Sequence, residues 1–107
     1  MTAYRVDWAV VARNDLDGIA LYIADDSPIN ALRMVERIEK RAAALRTFPE
    51  RGWIVAELRS LGQDRYREII ESPWRLVYRI EGYQVLVVSV LDSRRDLSLV
   101  LHHRFLS

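Results

Sequence analysis

The hydrophobic period of this chain changes once, at Phe48-Pro49-Glu50-Arg51-Gly52, and that switch limits what it can fold into. Before it, Ala12, Leu16, Ile19, Ala20 and Ile23 recur at helical spacing, as do Ala31, Val35, Ile38, Ala42 and Leu45. After it, apolar residues alternate: Trp74, Leu76, Tyr78 and Ile80 stand against Arg75, Val77, Arg79 and Glu81. Helices and strands segregated in this way make an α+β domain, with the helices on one face of a sheet.

The boundaries follow from local signals. Tyr4, Val6 and Trp8 alternate with Arg5 and Asp7, which predicts a half-buried first strand. A first helix is expected over residues 10–25, ended by Asp25-Asp26-Ser27-Pro28. Ser27 can cap a second helix that starts at Pro28, where a missing N–H is harmless, and runs to Thr47. So short a connection forces the helices antiparallel, as a hairpin. Strands are predicted at Ile54–Leu58, Tyr66–Ile70, Trp74–Ile80 and Gln84–Leu91, with a loop over 59–65 and a glycine turn at Glu81-Gly82-Tyr83. Val85 to Val90 is almost continuously apolar, the mark of a central strand covered on both faces. Asp92 to Asp96 is a charged turn, and Leu97, Leu99, Val100, Leu101 and Leu106 predict a short docked helix, anchored through Leu101 and presented from His102 to Ser107. The expectation is a single domain over residues 1–107, β-α-α-β-β-β-β with a helical tail, its two-helix hairpin packed on a curved, mostly antiparallel sheet.

Composition narrows the function. Sixteen basic residues against fifteen acidic ones leave a formal charge of +1 and a pI near 8.1, far from a typical phosphate-backbone binder, so sequence-specific nucleic-acid binding is not expected. There is no cysteine, which excludes disulfides and thiolate metal sites and suits a reducing cytoplasm. MTAYRVDWAV has no leader-like apolar core, and charges interrupt every apolar run before a bilayer-spanning length, so the expected location is the cytoplasm, without membrane contact. Lys40 is the only lysine, which leaves anion chemistry to arginine.

Several patterns together resemble a known family. Trp8-Ala9, Ala12, Asp15-Leu16, Ile19 and Tyr22-Ile23-Ala24 look like the first helix of ParE-like toxins, and Phe48-Pro49-Glu50-Arg51-Gly52 looks like their helix-to-strand turn. Tyr66-Arg67-Glu68, Trp74-Arg75-Leu76-Val77-Tyr78-Arg79 and Val90-Leu91-Asp92-Ser93-Arg94-Arg95-Asp96 resemble the strand signatures that follow. The resemblance to the ParE/RelE superfamily of type II toxin–antitoxin systems implies a toxin. It would either poison DNA gyrase, as ParE-like members do, or cut messenger RNA on the ribosome, as RelE-like members do. It also implies a co-expressed ParD-like antitoxin of the ribbon-helix-helix class. Arg75 matches one arginine of the ribonuclease branch and Arg94 or Arg95 another. However, strand 66–70 has no lysine, Asp92 replaces a histidine found in some relatives, and no tyrosine follows Tyr83. Gyrase is therefore the expected target, with no cofactor, and the ribonuclease is the alternative.

Read without the family, phosphoryl chemistry would use Arg67, Arg75, Arg94 and Arg95 as a bidentate phosphate clamp, and for a toxin that acts by binding the same four arginines are the expected target contacts. Alternation places Arg67, Arg75 and Arg79 on one outer sheet face. The bland reading of that face is a solvated one, neutralised by Glu68, Glu71 and Glu81. His102 and His103 are about 100° apart on a helix, so they cannot chelate one metal, but either can meet a target. The Asp15/Asp17 and Asp25/Asp26 pairs read as helix-end groups. Leu21 and Leu32 fall off the core stripes, and with Met34 and Trp53 they are the expected antitoxin contacts.

Overall fold

A computed structural model describes residues 3–106. The first strand, β1 (Arg5–Trp8), leads into α1 (Val10–Ala24) and α2 (Pro28–Ala43), and the second helix runs out through a 3-10 turn at Ala44–Arg46. Ser27 caps α2 by accepting the Asn30 N–H at 3.3 Å, with Pro28 in the first turn. The sheet strands are β2 (Trp53–Ile54), β3 (Tyr66–Glu71), β4 (Trp74–Glu81) and β5 (Gln84–Asp92), with a short helix α3 (Ala56–Arg59) between the first two and a closing helix α4 (Ser98–Leu106). The α+β architecture expected from the sequence is the one observed.

Strand order is β1-β5-β4-β3-β2, antiparallel except where β1 meets β5 in parallel. The parallel pairing arises because the whole hairpin crosses over before the chain returns beside β1. β5 therefore lies inside the sheet, in keeping with its apolar run. Tyr78 faces Val87 while Val77 faces Ser89, so Val88 is an extra residue that shifts the side-chain alternation by one. As a result Val85, Val87 and Val90 all face the helical hairpin, while Val88 and Leu91 face away from it.

The sheet is buried on both faces. Leu16, Ile38, Leu45, Leu76 and Tyr78 close the core under the hairpin. Val55, Leu58, Val77, Leu97 and Leu101 close a second core where α3 and α4 cover the other face. Two expectations change here. Of the predicted strand 54–58 only Ile54 lies in β2, paired with β3 beside Trp53, because Val55 turns inward and Ala56–Arg59 coils over the sheet as a helix. The tail is held beyond Leu101, because the Phe105 ring packs 4.6 Å from that of Tyr66 and Arg104 is ion-paired to Asp15.

Candidate functional site

The sheet face under α3 and α4 carries Arg75, but not as an open cation. Glu68 lies diagonally across β3 from Arg75, and α3 lowers Glu57 over both. The guanidinium donates to Glu68 at 2.6 and 2.8 Å and to Glu57 at 2.7 and 2.8 Å, and only 12% of the Arg75 side chain is exposed. The two carboxylates hold Arg75 charged, and its hydrogen bonds pull the Glu57 carboxyl below the usual glutamate range. One cation between two anions leaves this cluster at −1, which repels phosphate.

Arg67 lies elsewhere. Its cross-strand partner is Tyr78, on the hairpin face, whereas Tyr66 opposes Arg79 on the covered face. The expected grouping of Arg67 with Arg75 and Arg79 thus does not form. The reason is that Tyr66 is buried in the second core, which turns the next residue, Arg67, to the hairpin face. Arg67 instead donates to the Glu50 and Gly52 carbonyls and pins the turn before β2. Tyr78 completes that anchor: its hydroxyl accepts the Gly52 N–H at 3.0 Å and donates to the Pro49 carbonyl. Burial pushes the Tyr78 phenol up.

Arg94 and Arg95 follow β5 with side chains 66% and 77% exposed. Both share one carboxylate, that of Asp92. Arg94 donates to it at 2.9 and 3.0 Å, whereas the closest Arg95 approach is 3.7 Å. The Arg94 hydrogen bonds pull Asp92 down to about 2. His102 and His103 are exposed on α4. Among the described residues no group of three or more acidic or histidine side chains is placed to hold a metal ion.

Leu21 and Leu32 are 74% and 65% exposed and come together on the hairpin. They flank a shallow apolar groove of about 370 Å³ with Ala20, Ala24, Ala31 and Val35, small enough side chains for another backbone to approach closely. Met34 is not part of it, being half-buried against the core, and Trp53 stands apart on the edge strand β2. Two arrangements have no sequence signal. Glu57 lies in the predicted strand 54–58, where nothing marks its reach over Arg75. Asp15, expected to be a helix-end group, instead accepts the Val90 N–H and a bidentate pair from Arg104.

This architecture is shared with chains of solved toxin–antitoxin systems. A chain of the chromosomal ParDE TA system from P. aeruginosa superposes with a TM-score of 0.70 over 84% of this chain and 96% of that one, at 20% identity. A chain of the toxin-antitoxin complex RelBE2 from Mycobacterium tuberculosis gives 0.64 over 86% and 93%, at 22% identity. In sequence, the chain is 28% identical to Toxin ParE3 of Caulobacter vibrioides over 88 residues, covering 81% of this chain and 84% of the relative. It is 32% identical to Toxin RelE2 of the same organism over 92 residues, covering 85% and 97%. The profile for the ParE toxin of type II toxin-antitoxin system, parDE, matches residues 6–97, and the chain belongs to that family of type II toxins within the ParE/RelE superfamily.

Proposed function

We propose that this toxin arrests growth by binding and poisoning DNA gyrase rather than by cutting RNA, and that a ParD-like ribbon-helix-helix antitoxin silences it. Relatives carry both ParE and RelE names, so the choice rests on the chain's own chemistry. The observation that carries it is the Arg75 cage. A phosphate clamp needs guanidinium donors free to meet an anion, and here Arg75 spends its donors on Glu57 and Glu68 inside a cluster of net negative charge. Of the four candidate arginines, Arg94 and Arg95 are the exposed ones, and His102 and His103 are exposed on α4.

The antitoxin reading is supported by the hairpin groove. Leu21 and Leu32 with three alanines between the two helices form an apolar trough suited to an amphipathic helix. One observation favours the ribonuclease instead: Glu57 puts a carboxylate beside Arg75, the pairing of base and cation that RNA cleavage by 2′-OH attack requires. Its lowered proton affinity makes Glu57 a weak base at neutral pH. Purified toxin added to gyrase and relaxed plasmid should block supercoiling and accumulate cleaved DNA, with reversal on adding antitoxin. Gyrase unaffected by excess folded toxin, with codon-spaced cuts in ribosome-bound message, would install the ribonuclease.

A further inference from the structure

The groove on the hairpin is walled by two helices, whose backbone N–H and C=O groups are bonded within α1 and α2. An extended chain laid between them would cover its own backbone groups without giving them partners, whereas a helix arrives with its groups already bonded. Ala20, Ala24 and Ala31 leave room for such a helix to come close.

The rim carries charge of one sign. Asp17 and Asp25 lie one turn either side of Leu21 on α1, and Glu36 lies one turn beyond Leu32 on α2. All three are exposed, and among the described residues none of them has an ion-pair partner. The cations nearby do not offset them. Arg13, one turn before Asp17, is held at 3.1 Å by Glu39 across the hairpin. Arg33 and Lys40 lie about 80–100° round α2 from Leu32, on the side away from Pro28 and Val35. Three carboxylates without a counter-ion therefore border an apolar trough, and they repel a phosphate or an acidic segment. They also disfavour a second copy of the hairpin, which would bring the same three carboxylates against these.

We propose that the groove selects a partner helix whose stripe of leucine and alanine is flanked by arginine or lysine, and that Asp17, Asp25 and Glu36 set this preference. Apolar contact holds the helix, and the acidic rim decides which helix is held. The inference rests on the reading of the groove as the antitoxin's seat and adds to it the charge of the segment that the groove takes.

The test is titration of the isotope-labelled full chain, followed by amide chemical shifts, with two end-capped helical peptides of about 18 residues. They share one stripe of leucine and alanine and carry either arginine or glutamate at the flanking positions. Saturable shifts at Leu21, Ala24 and Leu32 are expected with the arginine peptide, and the glutamate peptide should bind about tenfold more weakly or worse. Serine in place of the leucines should abolish binding of both. Asp17→Arg with Glu36→Arg should reverse the order of the two peptides, with little change in melting temperature because both side chains are exposed. Asp17→Asn with Glu36→Gln should bring the two affinities together, and it keeps the proposal testable if the reversed pair fails to fold. Equal affinity of the two peptides for the unaltered chain, or an order unchanged by Asp17→Arg with Glu36→Arg, would overturn the charge preference and leave the groove reading standing. No saturable shift with either peptide at millimolar concentration, or binding of the arginine peptide that survives loss of its leucines, would overturn both.

Discussion

Removing the Arg75 guanidinium alone leaves Glu57 and Glu68 facing each other beneath α3 and α4, with Glu68 only 9% exposed. Arg75→Ala should therefore destabilise the fold by about 2–4 kcal/mol in urea denaturation, and most of that loss should return when Glu57 and Glu68 are also made glutamine. A loss of toxicity in Arg75→Ala thus reports on folding before it reports on chemistry. Gly52 is the most constrained glycine, since a Cβ there would come 2.5 Å from the Tyr78 hydroxyl and 2.6 Å from the Glu68 carbonyl. Gly52→Ala should cost about 1–3 kcal/mol by the same measurement, because the carbonyl that it strikes belongs to the sheet. The lowered carboxyls set an acid limit. Glu57 and Asp92 bind protons more weakly folded than unfolded, so their stabilisation is complete above their ordinary values of 4.5 and 3.8 and is lost as pH falls. For Asp92 the loss runs down to about 2, and Asp92→Asn should flatten the lower end of the melting-temperature profile against pH.

α4 and the residue before it are held at three points: Leu97 and Leu101 in the second core, Phe105 on Tyr66, and Arg104 on Asp15. Truncation after Leu101 removes two of the three and strands the Asp15 carboxylate. The expected cost is about 2–4 kcal/mol in chemical denaturation, and an unchanged midpoint would show that the tail is presented rather than docked. This element also marks where sequence reading stops. The helices and β3, β4 and β5 were legible because their apolar residues repeat at 3.6 or 2, and the glycine turn at Gly82 joins β4 to β5 as expected. The continuous run Val85–Val90 already said that β5 is covered on both faces. Of the two helices that cover the face away from the hairpin, the C-terminal one was legible and α3 was not, since Ala56–Arg59 makes only one turn and four residues cannot display a period. The Val88 bulge hid the side-chain parity for the same reason: it acts through one residue and its partner strand. Of the site, the arginines and the leucine pair were visible as residue types, but the Glu57–Arg75–Glu68 cage is a tertiary arrangement with no local signature.

At the scale of the molecule, the two faces carry different tasks. The hairpin offers an apolar groove, whereas the opposite face is closed by α3 and α4 over the caged arginine. If the groove takes the antitoxin helix, Leu21→Glu with Leu32→Glu should weaken that complex by about 2–4 kcal/mol in calorimetry, with little change in the melting temperature of the free toxin, because both side chains are exposed. Unchanged affinity would move the antitoxin to another surface. The central claim is that toxicity arises from binding and not from an Arg75-centred phosphate clamp. It is tested most directly by the neutral cage Glu57→Gln, Glu68→Gln and Arg75→Gln, which keeps polar groups at all three positions and removes every charge. Expressed without antitoxin, and checked for folding by its melting temperature, this variant should still arrest growth, and its purified form should still block gyrase supercoiling. A folded neutral-cage variant that no longer arrests growth or inhibits gyrase would contradict the account.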